Sequence, residues 1–392
     1  MTDPGGQPPA PGGTLTGPPG GTRPTRGTRA SGGSRPEDET RPEDGTRRES
    51  VADVLGEAVR SGTIPGGVFA SGAPGRATEM VVVGAAQARG GPRRAMARET
   101  LFDLASLTKV VATLPAVLRL AELGALTLED RVARFLAAFG GEGRDAISVR
   151  QLLTHTAGLP AEIRFWRRYD DPDEAGRALL GAPLEHPPGT QVVYSDVGFM
   201  LLGRIVSAIT GTALDVSVAE LVTGPLGMTR TCFRPAVGPP PAVAATELQP
   251  DGTALAGIVH DENARLFGGV AGHAGLFAPV DDLVRYLDAA WLGGQFLSRS
   301  WRREACRPQT GGLGGVRGLG WVLRGDPADP LGCCWPPRSV SHTGFTGTSL
   351  ACDPVSGGWA VLLSNEVHFG RGRGVMRALR ESVHDRCAPP RR

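Results

Sequence analysis

Segments with the pattern of β-strands occur near both ends of this chain, and the segments between them have the spacing of helices. Residues 66–70 and 79–86 are rich in apolar and β-branched side chains and flank a glycine-rich turn. Residues 348–353 and 359–365 form a similar pair around Pro354 to Gly358. This order predicts an α+β fold, in which an antiparallel sheet flanked by helices is built from both chain ends and holds an inserted, mainly helical lobe.

Apolar residues at helical spacing predict helices in the centre of the chain and at both ends. Ser50 is the expected N-cap of the first one, and Pro115 is expected to bend the helix that follows Ser106 and ends at Gly124. A loop is predicted from Pro235 to Pro241. The other predicted helices cover residues 129–139, a short stretch after Ile147, and residues 198–209, 280–292 and 374–387.

Residues 1–48 differ in composition from the rest of the chain. They consist mainly of Gly, Pro, Thr and Arg and contain almost no apolar side chains, so they cannot bury enough surface to offset the entropy of ordering. We predict a disordered tail over residues 1–48 and a folded domain over residues 49–392. Because the tail has no apolar core of a secretory signal, we expect a cytoplasmic protein.

The net charge, the hydropathy and the cysteine spacing give no indication of a nucleic-acid, membrane or metal partner. The net charge of +2 does not favour nucleic acid, and no apolar run reaches the length of a membrane span. The six cysteines include no C-x-x-C pair, and His260, Asp261 and His273 match no zinc-site spacing. We therefore expect thiols in a reducing compartment, no metal, no cofactor, and no nucleic-acid or membrane partner.

The clearest chemical signal is the stretch Ser106-Leu107-Thr108-Lys109. Residues three apart on a helix lie on one face, which brings an amine within hydrogen-bond reach of a hydroxyl and can activate a serine as a nucleophile. Lys109 is the only lysine among 42 basic residues. Arginine stays charged near neutral pH whereas a buried lysine can lose its proton, so the retained lysine favours a catalytic role.

Two further segments follow in the order that a single mechanism requires. They are Tyr194-Ser195-Asp196 and His342-Thr343-Gly344. Together with Ser106 and Lys109, this order resembles the serine β-lactamase and penicillin-binding-protein superfamily, specifically its class C β-lactamase-like branch of esterases and D-alanyl peptidases. The resemblance extends over about residues 50 to 387. It implies a β-lactamase/transpeptidase-like fold and a reaction that passes through an acyl-enzyme.

The resemblance also implies a role for each motif residue. Ser106 attacks a carbonyl, Lys109 keeps the hydroxyl poised, and Tyr194 exchanges a proton with the nucleophile, leaving group or water. The backbone N–H groups of Ser106 and Phe345 form the oxyanion hole, whose donors usually supply the largest catalytic stabilisation. The substrate-binding residues it implies are Asp196, His342, Thr343 and Gly344.

Two residues depart from the pattern of the family. Asp196 stands where the family usually has Asn. Its negative charge favours the protonated form of Lys109, so Tyr194 becomes the favoured candidate for the base. His342 stands where Lys is common, so a fixed cation for a substrate carboxylate is expected to be missing. Both changes favour an ester or amide without an essential carboxylate.

The sequence therefore predicts a serine hydrolase that acts on a small-molecule ester or amide, with esterase activity first and weak β-lactamase or D-alanyl-D-alanine carboxypeptidase activity second. Three alternatives stay open: an acyltransferase of small-molecule biosynthesis, a catalytically silent penicillin-binding-like protein, and an exported envelope peptidase. His155 is expected to be structural, and His260 and His273 are as consistent with packing as with function. Packing is also the expected role of Trp166, Trp321 and Trp335.

Overall fold

The structure is a computed structural model that describes residues 49–390 apart from 75, 237–242 and 295. The tail predicted over residues 1–48 lies outside the described residues. Most of the loop predicted from Pro235 to Pro241 lies outside them as well.

Within the described residues, seven strands form an antiparallel sheet in the order β3-β2-β1-β10-β9-β8-β7, and three short strands form a second sheet in the order β4-β6-β5. The strands are β1 (Gly66–Ala73), β2 (Arg76–Gln87), β3 (Arg94–Ala95), β4 (Phe102–Asp103), β5 (Cys232–Phe233), β6 (Leu276–Ala278), β7 (Val322–Leu323), β8 (Val340–Thr343), β9 (Ser349–Cys352) and β10 (Trp359–Ser364).

The large sheet joins the two ends of the chain. Strand β1 pairs antiparallel with β10, with Val68 opposite Leu363, and β10 pairs in turn with β9. The prediction of an antiparallel sheet built from both chain ends is confirmed.

The α-helices of the described residues are α1 (Val51–Arg60), α2 (Leu114–Glu122), α3 (Val149–Leu153), α4 (Pro172–Leu180), α5 (Asp196–Thr210), α6 (Leu214–Val218), α7 (Glu262–Leu266), α8 (Val280–Tyr286), α9 (Arg299–Ala305) and α10 (Met376–Cys387). Single π-helical segments cover Lys109–Thr113, Ala219–Thr223 and Leu287–Leu292. Short 3₁₀ turns cover Val132–Arg134, Arg144–Ala146, Phe165–Arg167 and Glu366–Phe369.

Helices cover both faces of the sheet, which explains why its central strands are apolar throughout. Successive side chains of a strand point to opposite faces. Val68 and Val361 therefore belong to the larger core, whereas Phe69 and Leu362 pack into a second core with helices α1 and α10.

One predicted helix is wrong. Residues 129–139 form only the 3₁₀ turn Val132–Arg134. The backbone around Arg131 instead pairs with a neighbouring segment: Val132 N–H donates to Ile147 O at 2.9 Å, and Val149 N–H donates to Asp130 O at 3.0 Å. These long-range bonds compete with the local helical ones, and a pattern of apolar spacing cannot reveal them.

Pro115 lies inside the helix that follows Ser106. The chain winds as a π helix from Lys109 to Thr113 and continues directly as α2, in which Pro115 is the second residue. The bend expected at this proline stays a prediction.

Among the described residues, no individual helix has the length and apolarity needed to cross a membrane. Helix α5 and the segment Leu214–Thr223, which are bent by 81° relative to each other, meet that criterion only as a pair.

Close backbone packing behind the Ser106 segment depends on two glycines. A Cβ atom on Gly272 would lie 2.1 Å from Phe199 O and 2.9 Å from the backbone nitrogen of Gly203 on α5. Contacts this short do not occur in proteins, so only glycine lets the segment that precedes His273 reach α5.

We expect Gly272→Ala to destabilise the protein by about 1–3 kcal/mol, because the backbone must move to accept the added methyl group. Urea unfolding followed by circular dichroism measures the change. Gly311→Ala is the matched control, since nothing lies within 4 Å of a Cβ atom placed there. Equal unfolding midpoints for the two variants would contradict the close approach.

Candidate active site

Ser106 lies in the turn between strand β4 and the π-helical segment. The residue before it, Ala105, has φ 46°, a left-handed conformation that is strained for a residue with a side chain. The carboxylate of Asp103 stabilises this turn by accepting a hydrogen bond from Ala105 N–H at 2.8 Å, and it also accepts one from His260 N–H at 2.6 Å. The buried carboxylate of Asp103 therefore holds the strained turn that positions Ser106.

The side chain of Lys109 is fully buried beside Ser106. Its Nζ donates to Ser106 Oγ at 3.0 Å and to His273 O at 3.2 Å, and it lies 2.7 Å from Asp196 Oδ1. The ring of Tyr194 is centred 5.0 Å from the same nitrogen. The structure thus brings together the residues predicted from the first two motifs.

The charge state of Lys109 follows from these neighbours. Burial alone would lower its pKa, but the charge of Asp196 and the adjacent Tyr194 outweigh that effect and raise the pKa to about 12. At neutral pH the group is an ammonium ion. It can donate to Ser106 Oγ but cannot accept the serine proton.

Tyr194 and Asp196 are positioned by the start of helix α5. Ser195 caps the helix, because its Oγ accepts from Gly198 N–H at 3.1 Å and donates to Pro160 O at 2.6 Å. The N–H of Ser195 donates to His155 Nδ1 at 3.0 Å. His155 is buried, its ring is centred 4.7 Å from that of Tyr194 at an interplanar angle of 44°, and it holds this segment, which is the structural role expected from the sequence.

The third motif reaches the nucleophile through backbone contacts. A Cβ atom on Gly344 would lie 2.4 Å from Leu104 O, so only glycine allows this approach. Thr346 Oγ1 donates to Asp103 O at 2.7 Å, and Thr348 Oγ1 donates to Leu104 O at 3.2 Å. These contacts hold the loop after β8 against the segment that precedes Ser106.

His342 is buried at the end of β8, with its ring centred 6.0 Å from that of Tyr194. Burial, together with the charges of Lys109 and Arg317, lowers the pKa of His342 to about 3. Its Nδ1 lies 2.9 Å from Thr343 O and therefore carries the proton, which leaves Nε2 as an acceptor. His342 is thus neutral at pH 7.

The two predicted oxyanion donors are available. Among the described residues, neither Ser106 N–H nor Phe345 N–H donates to a protein acceptor. Both residues line the same two cavities, of about 540 and 570 Å³. Phe345 is exposed, and its ring stacks on His260 with the centroids 5.6 Å apart.

Sequence reasoning missed Arg317. It is buried, its Nε lies 2.9 Å from Asp326 Oδ2, and its guanidinium carbon is 5.9 Å from the centre of the Tyr194 ring. Among the described residues, its two terminal nitrogens make no hydrogen bond. The expectation that a fixed cation for a substrate carboxylate is missing stays a prediction. No local sequence pattern around Arg317 could have shown its buried position beside Tyr194.

The structure gives the positions of His273, whose role the sequence left open, and of the three tryptophans that were expected to pack. His273 Nε2 lies 2.9 Å from Asp261 Oδ1, and Trp166 lines the larger cavity beside Ser106. Trp321 and Trp335 are buried in the cores.

The side chains of Asp196, Asp261 and His273 could in principle surround a metal ion, because their ligand atoms lie within 4.8 Å of one another. The ammonium of Lys109 already supplies the positive charge beside Asp196. A divalent cation there would be repelled by it.

Comparison with known proteins agrees with this geometry. A model of the family described as Beta-lactamase matches residues 51–385. The chain belongs to the beta-lactamase family. A relative from Escherichia coli (strain K12), described as "Putative D-alanyl-D-alanine carboxypeptidase", is 34% identical over 302 residues, which are 69% of this chain and 70% of the relative. The family predicted from the three motifs is confirmed.

Solved structures share the fold. EstCE1, described as a hydrolase with promiscuous acyltransferase activity, superposes with a TM-score of 0.67 at 24% identity and covers 85% of this chain and 97% of its own. Unliganded simvastatin synthase (LovD) from Aspergillus terreus superposes with a TM-score of 0.67 at 21% identity, and the match covers 86% of this chain and 96% of the synthase chain. At these identities the likeness establishes the beta-lactamase-type fold alone.

The buried His342 makes stability depend on pH. Its pKa of about 3 in the folded protein lies below the ordinary value of 6.5, so between these values the unfolded chain binds a proton that the folded one does not. Stability therefore falls as the pH drops from 6.5 toward 3. We expect His342→Asn to reduce the slope of unfolding free energy against pH by about 1.4 kcal/mol per pH unit.

Urea unfolding at several pH values between 6 and 4 measures this slope. His384 of α10 is a parallel case, because burial lowers its pKa to about 3 as well, and His384→Asn should reduce the slope similarly. A slope unchanged in both variants would show that these histidines are protonated in the folded protein.

Proposed function

We propose that the protein is a serine hydrolase that cleaves an ester or amide through an acyl-enzyme on Ser106. The observation that carries this proposal is the contact of Ser106 Oγ with the buried Lys109 Nζ at 3.0 Å. Ser106 and Phe345, whose backbone N–H groups have no protein acceptor among the described residues, line the same two cavities. This arrangement combines a poised nucleophile with donors for the charge that develops on the carbonyl oxygen.

The protonated state of Lys109 shapes the proposed mechanism. As Ser106 Oγ attacks the carbonyl carbon, its proton passes to the oxygen of Tyr194, which lies beside the ammonium of Lys109, while the phenol's own proton passes to the leaving group as its bond to the carbonyl carbon breaks. Water then attacks the acyl group and gives a proton to Tyr194, while the phenol's own proton returns to Ser106 Oγ, which releases the acid and restores the serine. The fixed charge of Lys109 stabilises the negative charge that develops on the oxygens of Ser106 and Tyr194.

Ser106→Ala and Lys109→Arg are each expected to lower kcat/KM for a p-nitrophenyl ester by at least about 10³-fold. When catalytic residues act as a unit, the loss of one member costs about as much as the loss of all of them. Intact mass spectrometry should show an acyl adduct on the wild type and none on Ser106→Ala. Ser300→Ala, an exposed serine outside the site, is the matched control and keeps both activity and adduct. A folded wild type that forms no adduct with any reactive ester would favour the catalytically silent alternative.

The cavity on the β8 side of Ser106 supports a second, narrower proposal: a substrate that carries a carboxylate, as in a D-alanyl carboxypeptidase. Its described lining includes one acidic residue, Glu366, against five arginines: Arg317, Arg371, Arg373, Arg377 and Arg380. Arg317 has terminal nitrogens without protein acceptors, and a guanidinium fork matches a carboxylate. The relative from Escherichia coli favours the same substrate class.

We expect the wild type to cleave a peptide that ends in D-alanyl-D-alanine at least about tenfold faster, in kcat/KM, than the same peptide with its terminal carboxylate amidated. The double variant Arg317→Met/Asp326→Asn removes both buried charges and should reduce that preference while keeping activity on a neutral ester. Equal rates for the two peptides with the wild type would leave an uncharged ester as the better substrate. The cytoplasmic location expected from the sequence stays a prediction, which cell fractionation tests.

A further inference from the structure

Two adjacent cysteines lie in the segment that joins β7 to β8. Cys333 is exposed and Cys334 is half-buried, and their sulfur atoms are 3.5 Å apart. Neither forms a disulfide. A pair of neighbouring thiols that point the same way is a ligand set for thiophilic metal ions.

A carboxylate from the last helix completes this group. Asp385, in the final turn of α10, accepts hydrogen bonds through Oδ1 from the N–H groups of Cys333 and Cys334, both at 2.8 Å. Its Oδ2 lies 3.6 Å from Cys333 Sγ. One ligand atom from each of the three residues lies within 4.8 Å of the others.

The distances match those of a tetrahedral zinc site. With Zn–S bonds of about 2.3 Å and a Zn–O bond of about 2.1 Å, tetrahedral angles place two sulfurs about 3.8 Å apart and a sulfur and an oxygen about 3.6 Å apart. The separations in the protein are 3.5 Å between the sulfurs and 3.6 Å between Cys333 Sγ and Asp385 Oδ2. Metal binding would therefore require only small movements.

The backbone around the group is shaped to receive the carboxylate. Gly332 has φ +64°, and a Cβ atom there would lie 2.5 Å from the carboxylate of Asp385. Trp335 Nε1 donates to His384 O at 2.8 Å, which holds the segment against α10. The arrangement of the three donors thus depends on tertiary contacts and not only on the adjacency of two cysteines.

Neighbouring basic side chains leave the carboxylate of Asp385 available to a cation. Arg324 pairs with Asp329, and Arg377 pairs with Glu381 at 3.0 Å. Among the described residues, Asp385 forms no ion pair with a basic side chain, so its charge is not neutralised.

We propose that Cys333, Cys334 and Asp385 bind one thiophilic divalent cation such as Zn²⁺. Both thiols lose their protons to solvent on binding, so each bound cation releases two protons, and a water molecule fills the fourth position. The bound cation fastens α10 to the segment that joins β7 to β8. Ala328 of that segment and Arg377 of α10 line the cavity beside Ser106. The proposed site does not depend on the hydrolase reaction.

The full-length protein, reduced and freed of metal, is titrated with Cd²⁺ while the absorbance of the cadmium–thiolate bond is recorded. We expect saturation at one equivalent, release of two protons, and displacement by Zn²⁺. Cys333→Ser and Cys334→Ser should each lose the absorbance at one equivalent. Cys232→Ser is the control for a partly exposed thiol elsewhere and should bind as the wild type does.

Asp385→Asn tests the third ligand. The asparagine keeps the Oδ1 acceptor for both cysteine N–H groups but loses the carboxylate charge, so we expect Cd²⁺ to bind at least about tenfold more weakly. Circular dichroism confirms that each variant is folded. The proposal is overturned if the wild type shows no absorbance at one equivalent, if the signal persists in both cysteine variants, or if Asp385→Asn binds with unchanged affinity.

Discussion

The buried ammonium of Lys109 is the constraint on which the rest of the site depends. Removing an ammonium ion from water costs several kcal/mol unless charges and hydrogen bonds replace the solvent. Here the replacements are the carboxylate of Asp196, the carbonyl of His273 and the hydroxyl of Ser106. These partners come from segments far apart in the chain. One lysine therefore joins the nucleophile, the start of α5 and the segment around His273 that precedes β6.

The same constraint determines what each group can do in the reaction. With Asp196 in place of an amide, the lysine is held in its charged form, and its contribution is electrostatic. In the proposed mechanism proton transfer falls to Tyr194, whose position depends on Ser195 and His155 behind it. The neutral His342 lies beside Tyr194, and the buried ion pair of Arg317 with Asp326 lies near the same ring. The lining of one cavity beside Ser106 includes five arginines and Glu366, and the lining of the other has both acidic and basic residues.

Backbone contacts make this arrangement rigid. The strained turn at Ala105 is supported by Asp103, and the loop after β8 lies against Leu104 through Gly344, Thr346 and Thr348. The predicted oxyanion donors, Ser106 and Phe345, therefore belong to two segments that are bonded to each other. Their relative position is set before any substrate arrives, which is the condition for efficient charge stabilisation.

The sequence by itself determined the features that depend on short-range pattern. Segments with the pattern of β-strands at both ends predicted the sheet, and three separated motifs predicted the family and the grouping of Ser106, Lys109 and Tyr194. Only the tertiary structure decided the rest: the lost helix at residues 129–139, the buried Arg317 beside Tyr194, the pKa of Lys109, and the meeting of Asp385 with Cys333 and Cys334. The physical reason is that periodicity and spacing act within a few residues, whereas burial and charge depend on which distant segments pack together.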